Sequence, residues 1–72
     1  MSEKNNRKMQ ELRMKKGLSQ YNLALLSGVS LRSIQDYEQG QKDIRRACAI
    51  NVYNIASVLG VTIEELLELE KL

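Results

Sequence analysis

Proline, histidine, tryptophan and phenylalanine are absent from the 72 residues, cysteine occurs once and glycine four times. Each absence removes a class of function. Without histidine, and with Cys48 alone, no zinc-binding set can be assembled, and a Ser/His or Cys/His nucleophile pair is ruled out. The carboxylates are scattered over expected solvent faces, so neither an enzyme nor a bound cofactor is anticipated. A lone cysteine cannot staple the fold internally, and the opening Met1–Lys8 lacks the apolar stretch of a signal peptide, which leads us to expect a cytoplasmic chain. No apolar run approaches the roughly 18 residues of a membrane span, so no membrane partner is expected. The length leaves room for one domain over residues 1–72. A chain this short buries only about 60% of its unfolded surface, and self-association is one way to make up the deficit.

What is present begins with charge. The net charge of +2 is unevenly spread: ten Lys/Arg stand against five Asp/Glu up to Arg46, whereas beyond it Lys71 stands against Glu64, Glu65, Glu68 and Glu70. A polyanion should therefore meet the first two-thirds of the chain, leaving the last third for packing or for a protein contact.

Three of the four glycines open the same pattern: Gly17-Leu18-Ser19, Gly28-Val29-Ser30 and Gly60-Val61-Thr62. Glycine accepts the left-handed conformation that ends one helix, and Ser or Thr caps the N–H groups that open the next. The apolar residue between them is spaced to staple into the new helix, as Leu18/Leu23, Val29/Ile34 and Val61/Leu66. Glu65, three residues after Thr62, completes a capping box. The pattern divides the chain into helices at about 6–16, 20–27, 31–39, 45–59 and 63–71, with residues 1–5 expected to be disordered. Gly40 closes the third helix, and Gln41-Lys42-Asp43-Ile44 forms a polar connection in which Asp43 is a candidate cap. Nothing alternates as a strand does, so the fold class is all-α, a compact bundle of five helices.

The second and third helices, together about residues 20–39, are joined by a short turn containing Gly28, the connection of a helix-turn-helix. Small Ala24 allows close approach, and Val29, Ile34 and Tyr37 supply the contacts that hold the angle. At roughly 100° per residue, Ile34 and Tyr37 share one side of the third helix while Leu31, Arg32, Gln35, Asp36 and Gln39 spread over the other. That second side carries groups able to read bases. Arginine can make two hydrogen bonds to guanine, glutamine two to adenine, aspartate can accept from the cytosine amino group, and leucine can meet the thymine methyl. A merely solvated face is the alternative, against which the turn behind it and the basic residues beside it weigh.

The residues Leu12-Arg13, Gly17-Leu18-Ser19-Gln20, Leu23-Ala24, Ser27-Gly28-Val29-Ser30, Ile34, Tyr37-Glu38 and Gly40 resemble the phage repressor and Cro (Xre-type) helix-turn-helix family. The resemblance covers about residues 6–69. It implies a five-helix, lambda-repressor-like domain that binds double-stranded operator DNA as a homodimer. It also implies roles for individual residues. Leu31, Arg32, Ser33 and Asp36 occupy positions turned to bases, with Gln35 nearby. Ser19 and Gln20, opening the second helix, and Lys42, Arg45 and Arg46, after Gly40, correspond to phosphate contacts. Arg13 and Glu38 match a structural ion pair tying the first helix to the end of the third. The chain departs from the family pattern in its longer connection after Gly40, in Leu25 and Leu26, and in the negative charge of Asp36. Leu26 has core spacing from Leu23, whereas an exposed Leu25 could meet a partner. Ile63, Leu66 and Leu67 are expected to face the core, leaving Leu69 and Leu72 as an apolar remnant of the C-terminal helix. Cys48 is read as a small buried residue of the fourth helix.

Two functions are compatible with these observations. One is a sequence-specific transcriptional regulator, a repressor acting by occlusion on a palindromic operator. The other is an antitoxin-like interaction module that binds a protein through Leu25 or the acidic last helix, with DNA secondary.

Overall fold

The structure is a computed structural model that describes the backbone of residues 3–69 and the side chains from Arg7 to Leu69. Among the described residues five helices follow in order: α1 (Glu3–Lys15), α2 (Gln20–Ser27), α3 (Leu31–Gln39), α4 (Ala49–Leu59) and α5 (Ile63–Leu67), with a 3-10 turn over Ile44–Arg46. No strand occurs among the described residues. Three helix starts are set by the side chains the glycine pattern predicts. Ser19 Oγ accepts from Asn22 N at 3.0 Å, Ser30 Oγ from Ser33 N at 3.1 Å, and Thr62 Oγ1 from Glu65 N at 3.0 Å. Gly28 (φ 75°) ends α2 in the left-handed conformation and donates its N–H to Ala24 O at 2.9 Å, so the chain turns at once into α3.

The core is one cluster. Met9, Leu23, Ile34, Ile44, Ile55 and Leu66 are its fully buried large side chains. Helix α3 packs on α1 and α2, α2 also packs on α4, and α5 closes against α1 and α4. The helix-turn-helix is thus backed on both sides by helices that take no part in its outer surface.

Several boundaries and burial assignments differ from expectation. Helix α1 begins at Glu3; of the segment expected to be disordered, Met1 and Ser2 lie outside the described residues. The expected fourth helix at 45–59 divides in two. Asp43 Oδ1 caps the 3-10 turn through Arg45 N at 3.0 Å, Ala47 breaks to extended backbone, and α4 starts only at Ala49. Cys48 is accordingly not a buried residue within a helix: it is exposed and sits at the N-cap of α4 without a side-chain bond.

Ile44, counted with a polar connection, is a core residue that pins that connection to the body. Leu26 is 64% exposed, like Leu25, because buried Ser27 takes the inward position at the end of α2. The last helix stops at Leu67 instead of 71. Glu68 takes a left-handed conformation (φ 57°), its N–H turned back to Glu64 O and Glu65 O. Ile63 is exposed and Leu66 carries the burial; Leu72 lies outside the described residues.

Candidate nucleic-acid interface

Helix α3 is amphipathic, and its two acids go opposite ways. Glu38 turns inward, where its carboxylate accepts from Arg13 Nε at 2.7 Å and Nη2 at 3.1 Å and from Gln20 Nε2 at 2.9 Å. Arg13 also donates from Nη1 to Leu18 O at 2.8 Å. The Arg13 and Glu38 side chains are only 11% and 3% exposed. The Arg13–Glu38 pair therefore fastens α1, the turn before α2, the start of α2 and the end of α3 together, and in doing so fixes the angle at which α3 is presented. Gln20, matched by resemblance to a phosphate contact, spends one amide N–H on this junction.

Asp36 turns outward into a polar groove lined by Arg32, Gln35, Asp36, Gln39, Gln41 and Lys42. Gly40 (φ 84°) bends the chain after α3 so that Gln41 N and Lys42 N both donate to Asp36 O, at 2.9 and 3.2 Å. This fold-back sets Lys42 beside the outer face of α3: its Nζ lies 3.8 Å from Asp36 Oδ2 and 3.5 Å from Ser33 Oγ. Arg32 Nε donates to Asp36 Oδ1 at 3.3 Å from a side chain that is 82% exposed. Leu31 is exposed at the start of the helix, while Ser33 and Gln35 are half-buried beside it.

The structure thus brings together Arg32, Ser33, Gln35, Asp36 and Lys42. It does not bring Arg45 and Arg46 into the groove; they stand on the 3-10 turn beyond Ile44, Arg45 beside Asp43 at 3.6 Å. Ser19 is exposed at the head of α2, its oxygen occupied as a cap and its hydroxyl hydrogen left to donate. Gln41, expected only as part of a polar connection, enters the groove through the turn at Gly40; its one local signal is its place directly after the helix-ending glycine. Also unanticipated are Ile50 and Tyr53, one turn apart on α4 and 60% and 57% exposed. No metal-binding cluster of acidic, histidine or cysteine side chains forms among the described residues, and no described helix is long and apolar enough to cross a membrane.

Two helices at a glycine turn, the second presenting base-capable side chains beside a lysine, define a helix-turn-helix DNA-binding domain. A family model described as helix-turn-helix matches residues 9–66, and the chain belongs to that family, in its Xre-type branch. It is a DNA-binding transcriptional regulator; the family is one of regulators, not of enzymes. Among solved structures, the chain is similar to the restriction-modification controller protein C.AhdI from Aeromonas hydrophila. The two are 34% identical with a TM-score of 0.79, over 89% of this chain and 92% of that one. No match was found among curated proteins.

Proposed function

We propose that the chain is a sequence-specific repressor that occludes a palindromic operator as a homodimer, acting in the cytoplasm with α3 in the major groove of each half-site. The observation that carries this reading is the groove at α3, where base-capable Arg32 and Gln35 stand beside Lys42. In this reading Leu31, Arg32, Ser33 and Gln35 address base edges, and Ser19, Gln20, Lys42, Arg45 and Arg46 hold phosphates on either side. Nine residues of α3 span about 13 Å, the length of about four base pairs. One copy reads too little sequence to find a site, and two copies on half-sites about one DNA turn apart remedy that.

Dimerisation through α4 and the segment from α5 to Leu69 is supported by exposed Ile50, Tyr53, Ile63 and Leu69, on the part of the described chain that carries no Lys or Arg. The similarity to a restriction-modification controller makes the genes of such a system the targets to try first. A second reading, a protein-interaction module, has one observation in its favour: Leu25 and Leu26 are adjacent on α2 and both 64% exposed.

The test is selection of bound sites from random duplexes, with footprint length and the mass of the protein in solution recorded. The expected result is a two-fold-symmetric site occupied by two copies. Affinity should fall with a log–log salt slope of about −5 if three cations per copy each neutralise one phosphate. Recovery of no common sequence would overturn the reading, and a second, unlike protein held at fixed stoichiometry would favour the interaction module.

A further inference from the structure

Asp36 is the outward acid of α3, yet its side chain is only 14% exposed. Both carboxylate oxygens have cationic neighbours: Oδ1 accepts from Arg32 Nε at 3.3 Å and Oδ2 lies 3.8 Å from Lys42 Nζ. The peptide oxygen of the same residue holds Gln41 N and Lys42 N. A carboxylate so covered and so engaged is badly placed to accept from a cytosine amino group. Arg32 is in the opposite condition, 82% exposed and tethered at Nε alone. A guanidinium has five N–H groups; a bond at Nε leaves the four on its two terminal nitrogens, the pair that can address O6 and N7 of a guanine end-on. The tether also removes rotamers that a long, exposed side chain would otherwise lose only on binding.

We propose that Asp36 is a positioning residue for base recognition. It holds Arg32 with its terminal nitrogens presented to a guanine and, through its other oxygen and its peptide carbonyl, keeps Lys42 in register with the reading helix. This rests on the operator-binding reading above. It carries a second consequence: one negative charge between two positive ones lowers attraction to any phosphate backbone, so Asp36 weakens sequence-independent binding while it sharpens discrimination.

The test uses the full chain as wild type, Asp36→Asn, Asp36→Ala, Arg32→Ala and the Arg32→Ala/Asp36→Ala double variant. Each is titrated against the selected duplex, its symmetric single-position replacements and an unrelated duplex at one salt concentration. The Arg32→Ala profile identifies the base pair that Arg32 reads. At that pair, replacement should weaken the wild type by about tenfold or more. In Asp36→Asn and Asp36→Ala the penalty should shrink to about twofold to threefold, with other positions unchanged and the unrelated duplex bound as tightly or more so. In the double variant, discrimination should equal that of Arg32→Ala alone.

Relaxation by Asp36→Asn at a different base pair would overturn the proposal in favour of direct cytosine reading. Unchanged discrimination at every position, or a parallel loss on all duplexes with lowered thermal stability, would also overturn it. So would an Arg32→Ala profile that relaxes no position. A wild-type chain that prefers no duplex overturns the operator-binding reading itself, and is told apart because it appears before any Asp36 variant is compared.

Discussion

Replacing Glu38 with alanine is expected to be the most damaging single polar substitution in this chain. The change removes the acceptor of three hydrogen bonds, two from Arg13 and one from Gln20, and leaves an arginine side chain that is 11% exposed with only Leu18 O as partner. Breaking a buried ion pair on one side costs about 3–5 kcal/mol, because the remaining charge stays desolvated. The retained bond to Leu18 O argues for the lower end, about 3 kcal/mol. A domain of this length has a total stability of about 4–11 kcal/mol, so the loss is a large fraction of it. At about 4–8 °C per kcal/mol for a domain of this size, Tm should fall by about 12–24 °C.

Thermal unfolding followed by far-UV circular dichroism, at fixed protein concentration so that any dimer contributes equally, measures this directly. Replacing both partners, Arg13→Met with Glu38→Leu, should recover most of the loss, since no uncompensated charge remains. A fall in Tm below about 4 °C for Glu38→Ala, or a double variant no better than the single, would refute the reasoning.

Lys42→Ala should weaken binding to all duplexes alike and reduce the salt slope by about one per copy, as anisotropy titrations at several ionic strengths would show; a loss confined to one base position would contradict a phosphate role. Burial pushes the Tyr37 phenol above its usual 10.0, with Cys48 and Asp36 adding to the shift. The folded state therefore keeps the phenolic proton that the unfolded chain loses. This contribution is complete below about pH 10 and is lost as pH rises through the folded value, so stability should decline in strongly alkaline solution. Unfolding free energies of wild type and Tyr37→Phe, measured by denaturant titration over about one pH unit either side of the free phenol value, should diverge as pH rises, the wild type losing stability faster. Cys48→Ser should stabilise the chain by about 0.5–1 kcal/mol, because the N-cap backbone of α4 is already extended (φ −67°, ψ 148°) and lacks only a side-chain acceptor. An unchanged or lowered Tm would show that the thiol has a packing role.

Much of the fold could be read without coordinates because its punctuation is local. The left-handed glycine, the apolar staple and the Ser or Thr cap lie within three consecutive residues, so the starts of α2, α3 and α5 follow from short-range hydrogen bonding alone. The buried side of α3 was likewise legible, since Ile34 and Tyr37 recur at helical spacing. The start of α4 is different: Cys48 at its N-cap makes no side-chain bond and no glycine precedes it directly, so nothing local marks that boundary. The burial of Ile44 and the exposure of Cys48 depend on how the 3-10 turn meets the body, and spacing carries no record of that.

The same distinction runs through the candidate interface. Sequence alone determined which helix faces outward, its length and which side chains it offers, because helical periodicity and capping are short-range effects. The tertiary structure decided how those side chains are deployed. Gly40 folds the chain back so that Lys42 meets Asp36 and Ser33, Asp36 in turn takes hold of Arg32, and Glu38 is withdrawn to Arg13 across 25 positions of sequence. Whether a charged residue on a helix is a reader, a support or a tie depends on which opposite charge the fold brings within about 4 Å, and pairing of that kind has no period along the chain.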